Sequence, residues 1–219
     1  MNTTRTGSGP LRRRCSWRRA IVPAAAVLLA AGAWAGWEAY GEPRWQTKRW
    51  GAVEPGLVYR SGRLPLARAQ AVLARHGIRV LIDLTEPGAD NRFQPAEQAA
   101  AEALGIDYHN FPLCGDGTGD LNHYAEALAV LHEARRAGQP VLVHCAAGAQ
   151  RTGGVVAVYR LLMEGRDPES VRAEMRRYGW KPGKDRVLLD YLNTHMQTLA
   201  GLLRDRGVLE RVPAPLPVL

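Results

Sequence analysis

Three glycines punctuate the middle of this 219-residue chain: Gly77, Gly105 and Gly138. Each closes a segment of helical character and is followed by a compact apolar run. Pro65–His76 carries Leu66, Ala69, Val72 and Leu73 at helical spacing, then Gly77, then IRVLIDL. Pro95–Leu104 is Ala-rich and helical, and Gly105 leads into Ile106–Leu113. Asn122–Ala137 places Tyr124, Leu128, Leu131 and Ala134 on one side, and Gly138 leads into Pro140–His144. Glycine just past a helical period is a stop signal, and short apolar runs of this kind read as buried strands. GLVYRSG upstream reads as a further short strand. Downstream, Gly153–Met163 reads as a buried helix, Asp167-Pro168 opens another through about Tyr178, and a last helix covers about Asp185–Leu202. Helices alternating with buried strands predict an α/β fold with a central, mainly parallel sheet flanked by helices. The domain is expected over 47–203, with a flexible tail at 204–219.

The N-terminal end has a different character. Residues 1–19 hold Arg5, Arg12, Arg13, Arg14, Arg18 and Arg19 and no acid, which accounts for most of the net charge of +8. The rest of the chain shows no basic stripe and no zinc-finger spacing, so nucleic acid is not an expected partner. Residues 20–37, AIVPAAAVLLAAGAWAGW, pass without a charge. A basic tail before an apolar run predicts an N-terminal apolar helix, acting as a transmembrane anchor or a signal segment. The expected placement is single-pass in the cytoplasmic membrane, with the folded domain on the extracytoplasmic side. Export after signal cleavage is the alternative. Residues 38–46 read as a polar linker.

Cys15, Cys114 and Cys145 make neither a disulfide scaffold nor a metal-ligand spacing, and no metal or cofactor is expected. Cys145 stands in VLVHCAAGAQRTG, where a strand, a short small-residue turn and a buried helix follow one another. In parallel sheets, ligands bind where strands end and loops begin. Gly148 and its neighbours Ala146, Ala147, Ala149 and Gln150 let successive backbone N–H groups turn inward as an anion nest, reinforced by the helix N-terminus. Arg151 adds a planar donor fork suited to phosphate. The same donors favour thiolate over thiol at Cys145, making it a nucleophile at neutral pH. An oxyanion cradle over a thiolate suits phosphoryl transfer, with Thr152 placed to hydrogen-bond the sulfur as it leaves and His144 orienting the loop from beneath.

His144, Cys145, Arg151 and Thr152, with Gly148 between them, match the pattern H-C-x5-R-[ST]. The chain thereby resembles the cysteine-dependent tyrosine and dual-specificity phosphatases, and VYRSG and GIRVLIDLTE add a likeness to the bacterial dual-specificity type over about residues 50–180. The resemblance implies that family's α/β fold and metal-independent hydrolysis of phosphomonoesters through a phosphocysteine. It also implies a general acid on a loop before the cysteine. FPLCGDGTGD offers Asp116, with Asp120 as the alternative. Asp83 and Asp90 are more distant options, and Asp83 also reads as a structural partner. Arg60 and Arg63 read as solvated or salt-bridged, and Cys114 as packing, with pairing to Cys145 conceivable under oxidation. The neutral Ala146, Ala147, Ala149 and Gln150 favour a phosphorylated protein or a small phosphate monoester as substrate. A phosphoinositide or inositol phosphate phosphatase and a non-enzymatic phosphate-binding module remain alternatives.

Overall fold

The computed structural model describes residues 47–88, 91 and 93–219. The N-terminal apolar helix expected over 20–37, and Asp90, lie outside them. The described residues form one compact unit. Its elements are β1 (Gly51–Glu54), β2 (Val58–Ser61), α1 (Ala69–Arg75), β3 (Val80–Asp83), α2 (Phe93–Leu104), β4 (Asp107–Asn110), α3 (Leu121–Arg136) and β5 (Val141–His144). After these come α4 (Gln150–Val158), continuing as a π-helical turn (Tyr159–Met163), then α5 (Pro168–Arg177) and α6 (Arg186–Asp205).

The strands form one five-stranded sheet in the order β1-β2-β5-β3-β4. Only β1 runs antiparallel to its neighbour, so the sheet is mixed, with the four strands β2, β5, β3 and β4 mutually parallel. Side chains alternate across it with the period of two that a pleated strand imposes. Val58, Val80, Ile82, Val141 and Val143 face a large core shared with α3, α4, α5 and α6. Leu81 and Leu142 face a smaller core with Leu73 of α1 and Ala101 of α2. Both faces are covered, which is why these strands read as continuous apolar runs.

Capping residues fix where the helices start. Asp120 accepts from Asn122 N–H at 2.8 Å at the start of α3. Asp167 accepts from Ser170 N–H at 2.9 Å at the start of α5, where Pro168 occupies the first turn. β1 is held from the far side by Arg160, whose guanidinium donates to Val53 O at 2.8 Å and pairs with Glu164 and Glu174. The C-terminal stretch, expected to be loose, packs back on the core. Val208, Leu209, Val212 and Leu216 lie against it, and Asn193 exchanges hydrogen bonds of 2.8 Å with Leu219 in both directions.

The expected single-pass placement in the cytoplasmic membrane is corrected. Among the described residues, no helix is long and apolar enough to cross a membrane.

Candidate active site

The parallel register brings four strand ends to one level. Ser61 of β2 stands opposite His144 of β5, His144 opposite Asp83 of β3, and Asp83 opposite Asn110 of β4. The loops after these strands therefore leave from one edge of the sheet, and the turn Cys145–Ala149 leaves from its middle.

Cys145 is buried at the base of this turn, and Gly148 N–H donates to its Sγ at 3.1 Å. Gly148 has φ of +74°, and a Cβ there would lie 2.5 Å from Gly62 N and 2.7 Å from the Ser61 carbonyl carbon. Both the conformation and the close approach of β2 require glycine. Burial alone would push the Cys145 thiol up. The hydroxyl and N–H of Thr152, the charge of Arg151 and the N–H of Gly148 outweigh it, and the thiol lies below its ordinary value. Thr152 is itself buried, its hydroxyl 3.4 Å from Ser61 O.

Arg151 reaches back across the sheet edge to Leu84 O and Leu113 O, both at 3.4 Å. Its Nε is buried and has no hydrogen-bond partner among the described residues. A buried unpaired guanidinium donor beside a lowered thiol and the inward N–H of Gly148 suits an incoming oxyanion.

His144 and Asp83 support the turn from below. Asp83 is fully buried and accepts from Thr85 N and Oγ1, both at 2.8 Å, Gln94 Nε2 at 3.0 Å and Tyr108 OH at 2.8 Å. It is the structural partner of the sequence reading, not an acid facing solvent. His144 Nε2 lies 3.7 Å from Glu97 Oε2 and 3.9 Å from Asp83 Oδ1. Burial would lower the His144 pKa, but Glu97, Asp83 and the cysteine thiolate raise it. Asp83, Glu97 and His144 have the donor atoms of a metal site by proximity. The Asp83 oxygens are already committed to four donors, and neither ring nitrogen of His144 has a hydrogen-bond partner among the described residues, so the cluster is a charge-paired footing for the turn.

The loop carrying both candidate acids is clamped. Tyr124 OH donates to Gly117 O, and Tyr191 OH donates to Gly119 O at 2.5 Å. Gly117, at φ of +92°, backs onto Gln150, where a Cβ would come within 3.2 Å of the backbone. The loop thus abuts the start of α4. Asp116 is exposed and accepts from Thr118 N at 3.0 Å and Thr118 Oγ1 at 2.8 Å. These bonds, the backbone one foremost, lower its pKa. Asp120 is spent as the N-cap of α3. Cys114, expected as packing, is exposed, and both it and Cys145 are free thiols.

Sequence reasoning missed the part that three side chains play at the turn. Arg60, read as solvated or salt-bridged, does pair with Glu174, at 3.9 Å, but is fully buried. It donates to Gly148 O at 3.1 Å, stacks 4.0 Å from the Tyr178 ring centre, and is lowered by burial to about 10. The period of two in VYRS, which puts Arg60 on the same face as Val58, was the available signal. Glu97, in the Ala-rich α2, also accepts from Leu64 N at 3.0 Å. Arg49 donates to Ala147 O at 2.8 Å from what read as the end of a linker. Neither carries a local sequence signal.

The profile of the tyrosine phosphatase family matches residues 41–175. The chain is 30% identical to the dual specificity protein phosphatase TpbA of Pseudomonas aeruginosa (strain UCBPP-PA14) over 139 residues, 59% of this chain and 58% of that protein. It thus spans less than two thirds of that relative's length. It is also 30% identical to the dual specificity protein phosphatase Mpk3 of Drosophila melanogaster over 114 residues, 52% of this chain and 26% of that protein. The crystal structure of P. aeruginosa TpbA superposes with a TM-score of 0.53 at 26% identity, covering 76% of this chain and 98% of that one. The catalytic core of the S. cerevisiae PP-IP phosphatase SIW14 shares the fold, with a TM-score of 0.56 at 17% identity over 78% of this chain and 97% of that one. Sequence profile, sheet order and cysteine turn agree, and the chain belongs to the tyrosine phosphatase family, within the cysteine-based tyrosine and dual-specificity superfamily.

Proposed function

We propose that the protein hydrolyses phosphate monoesters through a phosphocysteine, acting on a phosphorylated protein or a small monoester. The observation that carries this reading is the pairing of a Cys145 thiol lowered by its donors with a buried, unpartnered Arg151 Nε. In the first step, the Cys145 thiolate attacks phosphorus and an S–P bond forms. The ester P–O bond breaks, and the leaving oxygen takes a proton from Asp116. The N–H groups of Ala146, Ala147, Gly148, Ala149 and Gln150, with Arg151, bind the three equatorial oxygens, where transition-state charge collects. In the second step, water attacks phosphorus and gives a proton to the Asp116 carboxylate. The S–P bond breaks, its electron pair returns to Sγ, and inorganic phosphate leaves. The Thr152 hydroxyl stabilises the departing thiolate, and His144 orients the turn.

Asp116 is preferred to Asp120 because its loop abuts α4 through Gly117, while Asp120 caps α3. The neutral side chains of the cradle favour phosphoproteins or small monoesters over highly charged inositol phosphates.

The test is turnover of p-nitrophenyl phosphate and a phosphotyrosine peptide. Cys145→Ser and Arg151→Ala should abolish both, and trapped protein should carry phosphate on Cys145. Robust turnover by either variant would refute the mechanism. Asp116→Asn should slow the peptide, a poor leaving group, far more than p-nitrophenyl phosphate. Undiminished peptide turnover would move the acid to Asp120.

A further inference from the structure

Arg49 occupies an unusual position beside the cradle. It has φ of +51° and is the only non-glycine residue with positive φ among the described residues. Such conformations cost free energy and persist where the surroundings hold them, often at functional sites. Its guanidinium donates one hydrogen bond, to Ala147 O at 2.8 Å, and lies against Gly179, where a Cβ would come 2.5 Å from Arg49 Nε. Arg49 is therefore pinned between the cysteine turn and the turn after α5, and it keeps several unused donors at the surface.

Its neighbours are also cationic. Lys48 accepts from Gly62 N–H at 2.6 Å through its carbonyl, and its side chain is exposed. Arg63 donates through its N–H to Ala146 O at 3.3 Å. The turn containing Gly179 continues to Lys181 and Lys184. None of these five cations forms an ion pair with a described carboxylate. Arg135, Arg160, Arg166, Arg172, Arg176, Arg186, Arg204 and Arg206 all do. An uncompensated positive group beside an oxyanion cradle focuses field toward the mouth and favours further negative charge there.

We propose that Arg49, assisted by Lys48, forms a second anion subsite on the Ala146–Ala147 side of the cradle. The substrate it selects is a protein segment with an acidic or second phosphorylated residue next to the phosphoresidue being hydrolysed. A single guanidinium fork matches one carboxylate or phosphate, and the neutral cradle interior leaves charge recognition to this rim. The inference rests on the phosphatase reading above and adds the substrate's charge pattern to it.

The test compares kcat/KM for p-nitrophenyl phosphate, a phosphotyrosine peptide with neutral flanks, the same peptide with Glu on either side of the phosphotyrosine, and inositol hexakisphosphate. The acid-flanked peptide should exceed the neutral one by about tenfold, the worth of one charge-assisted hydrogen bond. Arg49→Gln should bring that ratio close to one, and Arg49→Lys should restore part of it. Lys48→Gln, which leaves the Arg49 bond to Ala147 O in place, should reduce the ratio without depending on how well Arg49→Gln folds. Raised salt should shrink the wild-type ratio. A ratio near one in the wild type, or one unmoved by these variants, would overturn the subsite, as would preference for inositol hexakisphosphate over both peptides. Absence of p-nitrophenyl phosphate turnover in the wild type would instead refute the phosphatase reading beneath it.

Discussion

His144 and Glu97 face each other 3.7 Å apart with both side chains buried, directly below the residue that bears the thiol. Burial raises the Glu97 pKa, while the His144 charge draws it down and Asp83 adds to the rise. The net direction is upward for both partners, so the folded protein holds protons here more tightly than the unfolded chain. A histidine with a raised pKa contributes stability that is complete below its unfolded value, about 6.5. That contribution is lost as pH rises through the folded value. A carboxyl raised by burial has the same sign: stability falls as pH climbs past its unfolded value of about 4.3. Glu97→Gln keeps an acceptor for Leu64 N–H but removes the charge facing His144. It should cost about 3 kcal/mol, typical for breaking a buried pair from one side. It should also flatten the decline of stability between mildly acidic and mildly alkaline pH. Urea denaturation at several pH values measures both effects, and a parallel pH profile for variant and wild type would exclude the coupling.

Gly148→Ala tests the cradle's backbone. The new Cβ would meet Gly62 and Ser61 of the neighbouring strand, and an L side chain at φ of +74° is strained in any case. The Gly148 N–H that reaches Sγ would have to move. The expected result is a loss of roughly 2 kcal/mol or more in stability. kcat should fall by roughly 100-fold, in line with the loss of an oxyanion-hole donor. Normal turnover would mean that this N–H does not serve the reaction.

The parts of this architecture with a period were legible in the sequence. Helical segments stopped by Gly77, Gly105 and Gly138 gave α1, α2 and α3, and the apolar runs gave β3 and β5 to within about two residues at most ends. β1 was missed because GAVE is four residues long, lies at the sheet edge and owes its place to Arg160 and Arg135, which bond Val53 and Glu54 from distant segments. The cysteine turn was legible because its residues are contiguous. Arg60, Glu97 and Arg49 were not, because each acts on the turn across roughly 50–100 intervening residues. The basic and apolar N-terminal segments suggested membrane placement, which the described residues do not carry forward.

Thr152 links thiol chemistry to the fold. Its hydroxyl and N–H both lower the Cys145 thiol, against a burial effect of opposite sign. Thr152→Val removes the hydroxyl and leaves the N–H and most of the volume. The thiol should move up, so alkylation by iodoacetamide should require higher pH than in the wild type. Release of phosphate from phosphocysteine should slow by about tenfold. The alkylation rate against pH and a burst-phase measurement report the two effects separately. An unshifted alkylation profile would assign the lowered thiol to Arg151 and the backbone alone.

Thr118 offers the corresponding test on the acid. A general acid works only while protonated, and Asp116 is lowered by the N–H and hydroxyl of Thr118. In the free enzyme the protonated fraction of Asp116 therefore falls already at acidic pH, and kcat/KM for a poor leaving group should fall as pH rises through that value. Thr118→Val deletes the 2.8 Å hydroxyl bond and keeps the 3.0 Å backbone bond, so the Asp116 pKa should rise while the loop stays held by Tyr124 and Tyr191. The alkaline limb of the pH profile should then move to higher pH. p-Nitrophenyl phosphate, whose leaving group needs little protonation, should show a smaller displacement. A limb that moves equally for both substrates, or not at all, would show that Asp116 does not donate the proton.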